Sequence, residues 1–247
     1  MTLVYGEAGS GDPVVLLHST TADARMWDPQ AEALSARFRV VRPDFRGHGR
    51  TPYAADRPYS DSGDVAELLG ALGLEKAALV GSSYGGRVAL ELAGAHPALV
   101  SRMVLLNPGC GLAATADLEE FGAQEDRLLE AGLVEEAVEL NVRTWLGPEA
   151  DARTREALRR MQRHAFEVQL AAGPPPPQLP GEVDLAAVEA PALVVSGAHD
   201  LPYFRESARR VAAELPAARL VELPWAGHLP SMERPGEITG LILGFLS

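Results

Sequence analysis

Short apolar runs alternate along the chain with stretches in which apolar residues recur every third or fourth position. "PVVLLH" (13–18) and "FRVVRPD" (38–44) are apolar runs of strand length, and "MWDPQAEALSAR" between them has helical spacing. "DVAELLGALG" (64–73) places Val65, Leu68, Leu69 and Leu72 on one helix face and stops at Gly73. The alternation continues with "KAALVG" as strand, "GGRVALELAGAHP" as a helix ended by Pro97, and "SRMVLLNP" as strand. Near the C-terminus, "APALVVSGAHD", "YFRESARRVAAEL", "ARLVEL" and "GEITGLILGFL" read strand, helix, strand, helix. Strands without a polar face, separated by helices, predict an α/β fold: a mostly parallel central sheet flanked by helices. The brief "TLVYGEAG" leaves room only for a reduced antiparallel edge.

Residues 112–181 break this rhythm. They carry helical patterns with no clear strand and end in "GPPPPQLPG", where four consecutive prolines make a stiff, extended connector. This predicts a helical insertion, 112–181, in a core formed by 1–111 and 182–247. There is no internal repeat.

Composition narrows the function. The 247 residues are 47% hydrophobic and 23% charged, ordinary for a globular chain, and the formal net charge is −12 without a Lys/Arg stripe. Nucleic acid and anionic membranes are therefore poor partners, and a small molecule is the expected one. The N-terminal residues lack a basic, then apolar, leader pattern, and no run approaches a membrane span, so the expectation is a cytoplasmic protein. A single cysteine, Cys110, excludes an intramolecular disulfide and a Cys-cluster metal site. No cofactor or metal is expected, and oligomeric state is left open.

In open parallel sheets ligands bind beyond the carboxyl ends of the strands. Four polar loops follow predicted strands: "HSTTAD", "GSSYGG", "GAHD" and "WAGH". "GSSYGG" fits G-x-S-x-G with Gly81, Ser83 and Gly85 in a strand–turn–helix setting. The glycines allow backbones to pass closely, and the middle residue is pushed out over the sheet. Ser83 is thus the candidate nucleophile, whereas Ser82 should turn away and hydrogen-bond within the turn. A serine hydroxyl needs a base. His228 lies in a glycine-flanked loop after the last strand, and Asp200 ends "LVVSGAHD", where it can orient an imidazole.

Each has an ordinary alternative: a turn serine, a loop histidine, a helix-capping aspartate. Their order along the chain, each at a strand end, favours chemistry. The other place for a triad acid holds Asn107-Pro108, which cannot ionise. Asp44, Arg46, His48 and Gly49 read as a structural loop, and His164 with the arginines of "REALRRMQRH" as a solvated face from which one arginine can meet a substrate carboxylate. "GSSYGG" lacks the G-x-G-x-x-G spacing of a dinucleotide site.

"LLHSTTADARMW", "RPDFRGHGRT", "LVGSSYGGRVALELA", "VVSGAHD" and "WAGHLPSMERP" together resemble the α/β-hydrolase superfamily over nearly the whole chain. The likeness is closest to 3-oxoadipate enol-lactonases and their lactonase–esterase relatives. The resemblance implies that 112–181 is a helical cap over an acyl pocket. It also implies an oxyanion hole from the backbone N–H groups of Thr20 and Tyr84, although His18-Ser19 stands where many relatives have His-Gly. Ser19, Thr21, Trp27 and Trp145 are the candidate substrate contacts, with core packing an equal alternative for Trp145. The expected activity is hydrolysis of a small ester or lactone through an acyl-enzyme. Carbon–carbon bond hydrolysis and cofactor-free perhydrolysis use the same three groups, and a non-catalytic ligand-binding protein on this scaffold is the alternative from another class. An arginine facing Ser83 would favour an acidic lactone; a wholly apolar lining would favour simple esters.

Overall fold

The strands fall where the apolar runs predict. In the computed structural model, which describes residues 3–179 and 181–247, seven strands form one sheet. They are β1 (Tyr5–Ala8), β2 (Asp12–Leu17), β3 (Phe38–Pro43), β4 (Ala77–Ser82), β5 (Val100–Leu106), β6 (Ala192–Gly197) and β7 (Ala218–Leu223), in the order β1-β3-β2-β4-β5-β6-β7. β1 pairs antiparallel with β3, Tyr5 opposite Pro43, and supplies the short edge expected from "TLVYGEAG"; the other pairings are parallel.

All six residues of β4 and of β6 are buried, because helices cover both faces of the sheet. Alternate residues feed two separate cores, as a period of two requires. Val14, Leu16, Val80, Val104, Leu106, Leu193 and Val195 face one side with α1 (Asp28–Leu34) and α8 (Pro235–Leu246). Val15, Leu17, Leu79, Met103, Leu105 and Val194 face the other with α2 (Asp61–Ala71), α3 (Tyr84–Ala95) and α7 (Pro202–Glu214).

Helix α2 begins four residues before its apolar stripe. The Ser60 hydroxyl accepts the Gly63 N–H at 3.1 Å, and Asp61 and Asp64 occupy the positive end of the helix. This extension carries Asp61 to the site described below.

Between β5 and β6 lie α4 (Ala116–Glu130), α5 (Val134–Trp145) and α6 (Ala152–Ala172), with no strand among the described residues. Ala137, Val138 and Val142 of α5 and Leu158, Met161 and Phe166 of α6 join the first core. Three arginines of α6 are engaged within the protein. Arg163 pairs with Glu135 at 2.5 Å, Arg159 pairs with Glu139, and Arg155 donates to the Gly147 and Ala150 carbonyls. His164 is half-buried rather than solvated, and its Nε2 donates to the Gly49 carbonyl at 2.7 Å. The proline connector then runs beside residue 59: Tyr59 N–H donates to the Pro177 carbonyl at 3.1 Å and Leu179 N–H to the Tyr59 carbonyl at 2.6 Å. Among the described residues no helix is long and apolar enough to cross a membrane.

Candidate active site

The turn from β4 into α3 is as tight as its glycines suggest. A Cβ on Gly81 would lie 2.4 Å from the Gly85 carbonyl oxygen, and one on Gly85 would lie 2.2 Å from that of Leu17. Ser83 between them has φ 55° and ψ −115°, a conformation costing a non-glycine residue about 1–3 kcal/mol. Its N–H donates to the Leu106 carbonyl at 2.8 Å, and its carbonyl accepts the Gly86 and Arg87 N–H groups at 3.0 and 3.1 Å. The strain is thus held by the sheet below and the helix behind. Ser82 does not hydrogen-bond within the turn as expected, for its buried Oγ has no partner.

β6 and β7 deliver the other two groups. His228 Nδ1–H donates to Asp200 Oδ2 at 2.6 Å, with both side chains almost wholly buried. The other carboxylate oxygen of Asp200 accepts the Leu201 N–H at 2.7 Å, so this residue both steadies the start of α7 and orients the imidazole. The His228 loop is clamped from three sides. Its N–H donates to the Trp145 carbonyl at 3.0 Å. Glu233 accepts the Gly227 N–H at 3.1 Å through each oxygen. The Asn107 amide donates to the Gly227 and His228 carbonyls at 3.1 and 2.9 Å while accepting the Gly197 N–H at 2.8 Å. Asn107, dismissed in the sequence because it cannot ionise, is a positioning residue between β5, β6 and the histidine loop. Its own φ of 46° turns the amide toward that loop.

Ser83 and His228 line one chamber of about 320 Å³, together with Ser19, Thr20, Thr21, Leu118, Phe121, Gly122, Trp145 and Phe204. The imidazole packs between Phe204 and Trp145, with ring centroids 4.1 and 4.7 Å away and planes tilted by 53° and 44°. The Ser83 hydroxyl makes no hydrogen bond, to His228 or elsewhere, among the described residues.

The loop after β2 is fixed by buried polar groups. His18 Nδ1–H donates to the Ser19 carbonyl at 2.8 Å, and Nε2 accepts the Phe45 N–H at 2.9 Å. Burial pushes its pKa down to about 3, which keeps it neutral and matched to one donor and one acceptor. The Ser19 and Thr21 hydroxyls lie 3.1 Å apart, and Asp44 accepts the Ala24 and Arg50 N–H groups, a structural role as expected. The N–H groups of Thr20 and Tyr84 have no acceptor among the described residues, and both residues border the site.

Trp27 is a correction. It is wholly buried in the first core and does not line the chamber, because the 3₁₀ turn Ala24–Trp27 directs its ring inward. Trp145 borders the chamber and also packs in that core.

Thr20, Thr21, Phe121 and Trp145 also wall a second limb of about 320 Å³ beside the chamber. This limb is polar and was not legible in the sequence. Asp61 Oδ2 accepts from the Tyr84 hydroxyl at 2.6 Å and from Gln178 Nε2 at 2.7 Å. Burial raises the Asp61 pKa to about 6. The surrounding groups are therefore neither an arginine aimed at Ser83 nor a wholly apolar wall.

Comparison with known proteins agrees with this architecture. Residues 14–240 match the alpha/beta hydrolase family. A protein of Caulobacter sp. (strain K31), provisionally named carbamate hydrolase RutD, is 30% identical, covering 98% of this chain and 93% of the relative. The 2-hydroxymuconate semialdehyde hydrolase of Pseudomonas putida is 29% identical, covering 98% and 89%. Among solved structures, the enol-lactonase from Burkholderia xenovorans LB400 superposes with a TM-score of 0.81 at 27% identity, covering 99% of this chain and 96% of that one. The sheet order, the strained strand–helix turn and the family match lead to one conclusion: the chain belongs to the α/β-hydrolase family and is a hydrolase with lactonase and esterase relatives.

Proposed function

We propose that the protein hydrolyses a carboxylic ester or lactone of a small molecule through an acyl-enzyme on Ser83. The observation that carries this reading is the buried Asp200–His228 pair beside the chamber that Ser83 also lines. With Nδ1–H given to Asp200, the Nε2 lone pair is left as the base. Nε2 takes the Ser83 proton as Oγ attacks the acyl carbon. The carbonyl oxygen becomes an oxyanion, met by the N–H groups of Thr20 and Tyr84; one such donor contributes about 3 kcal/mol to the transition state. The intermediate collapses, the bond to the alkoxide breaks, and His228 passes its proton to that oxygen. Water then attacks the acyl carbon, losing a proton to His228, and collapse returns the acid and the Ser83 hydroxyl. In a lactone the departing oxygen stays tethered to the product. The unpartnered Ser83 hydroxyl fits a free enzyme, in which catalytic hydrogen bonds are often long and tighten on substrate. Residues 112–181 act as the cap, with Phe121 and Trp145 forming the aromatic wall over the acyl group.

The test is Ser83→Ala. Labelling by a fluorophosphonate probe should disappear, and kcat on a 4-nitrophenyl ester should fall on the order of 10⁶-fold. Full esterase activity in that variant would overturn the assignment. A panel of aryl esters, enol-lactones and ring-cleavage diketones separates this reading from carbon–carbon hydrolysis, since fold alone does not fix the reaction. Diketone turnover without ester turnover would move the assignment.

A further inference from the structure

We infer that the polar limb beside the chamber binds a hydrogen-bond-donating group of the substrate, best an ammonium, and turns away substrates that end in a carboxylate. The inference rests on the ester or lactone hydrolase reading above and specifies its substrate class.

Three acceptors from three helices converge on the limb: Asp61 on α2, Glu125 on α4 and Gln162 on α6. Asp61 is 5% and Gln162 4% exposed, and the buried Asp61 Oδ1 and Gln162 Oε1 have no hydrogen-bond partner. An unsatisfied buried acceptor is unfavourable and uncommon, so two on one cavity wall call for a physical reason. A donor carried by the substrate would meet the carboxylates of Asp61 and Glu125, which line the limb. Glu125 adds a second carboxylate, held through one oxygen by the Asn141 amide. Burial raises the pKa of both acids, as befits carboxylates without a cation of their own.

The cation already present is committed. Arg46 lines the limb, but its Nε and Nη2 grip Asp64 at 2.6 and 2.8 Å and its Nη1 donates to the Ala54 carbonyl. The Tyr84 hydroxyl already donates to Asp61. A substrate carboxylate would therefore meet two like charges and no uncompensated cation, whereas an ammonium would meet complementary charge. Tyr84 links the two halves of the site: its N–H is at the proposed oxyanion position and its hydroxyl is on Asp61. The recognised group thus lies about one tyrosine side chain from the reacting carbonyl.

The experiment compares kcat/KM for matched short-chain esters ending in methyl, hydroxyl, ammonium or carboxylate. One series carries the end group on the acyl side and the other on the alcohol side. In at least one series the ammonium ester should exceed the methyl ester about tenfold or more and the carboxylate ester should be the poorest. The ammonium-to-methyl ratio should fall toward unity in Asp61→Asn and decline in Glu125→Gln; either variant serves if the other does not fold. Ser83-dependent turnover with no such order in either series, or with the carboxylate ester preferred, overturns this inference and leaves the hydrolase reading standing. No turnover of any ester and no Ser83 labelling overturns both.

Discussion

Replacing Asp61 with asparagine should stabilise the protein at neutral pH even though it removes a binding group. Asp61 is 5% exposed and its pKa is raised from 3.8 to about 6, chiefly by burial. The Tyr84 hydroxyl opposes that rise by donating to it; Asp64 and Glu91 add to the rise, and Arg46 opposes it weakly. The folded state therefore disfavours the ionised form by about 3 kcal/mol relative to the unfolded chain. Because folding strengthens the hold on this proton, the contribution of Asp61 to stability is greatest below pH 3.8, falls as pH rises toward 6, and then levels.

Asparagine removes the charge while its Oδ1 still accepts from Tyr84 and Gln178. Two effects oppose the gain. The carboxylate at the start of α2 interacts favourably with the helix dipole by about 0.3–1 kcal/mol. The new NH₂ also replaces an unpartnered oxygen and stays unpartnered, at about 1 kcal/mol. The net is a gain of about 1–2 kcal/mol at pH 8, or roughly 2–8 °C in Tm for a chain of this size. At pH 4.5 the gain should vanish or reverse. Thermal and urea melts of both proteins from pH 4.5 to 8 measure this. A variant less stable than the parent at pH 8, or a difference constant across the range, would refute the claim that desolvation of this carboxylate dominates.

Other substitutions probe the rest of the site. Asn107→Asp replaces two N–H donors with an anionic oxygen facing the Gly227 and His228 carbonyls, so stability should drop about 2–4 kcal/mol and kcat should fall with it; parent-like urea melts and kcat would show that the clamp does not position His228. Gly85→Ala puts a Cβ 2.2 Å from the Leu17 carbonyl and 2.7 Å from that of His18, backbone on both sides, so the variant should lose more than about 4 kcal/mol or fail to fold by circular dichroism. Gly70→Ala is its control: an exposed position of α2 whose Cβ meets nothing within 4 Å should gain about 1 kcal/mol.

The placement of Ser83, Asp200 and His228 after strands was legible in the sequence because each follows a strand whose apolar run is unmistakable, and the sheet brings strand ends together without further instruction. Trp27 misled for a related reason. It follows the same polar loop as Thr20 and Thr21, yet a single 3₁₀ turn reverses where its ring points, and no periodicity of four residues announces that.

The limb was hidden by distance along the chain. Asp61 and Gln178 are 117 positions apart and meet only because the proline connector lies alongside Tyr59. The prolines announced a straight segment, but not the surface it would follow. Asn107 shows the remaining gap between residue type and role: lacking an ionisable group argues against a proton-relay acid, but says nothing against holding the relay's loop. Such a clamp needs a donor pair and an acceptor on one side chain, which an amide provides and a carboxylate does not. Chemistry set by local turns can therefore be read from a chain, whereas selectivity set by contacts between the insertion and the core becomes visible only once those contacts are in place.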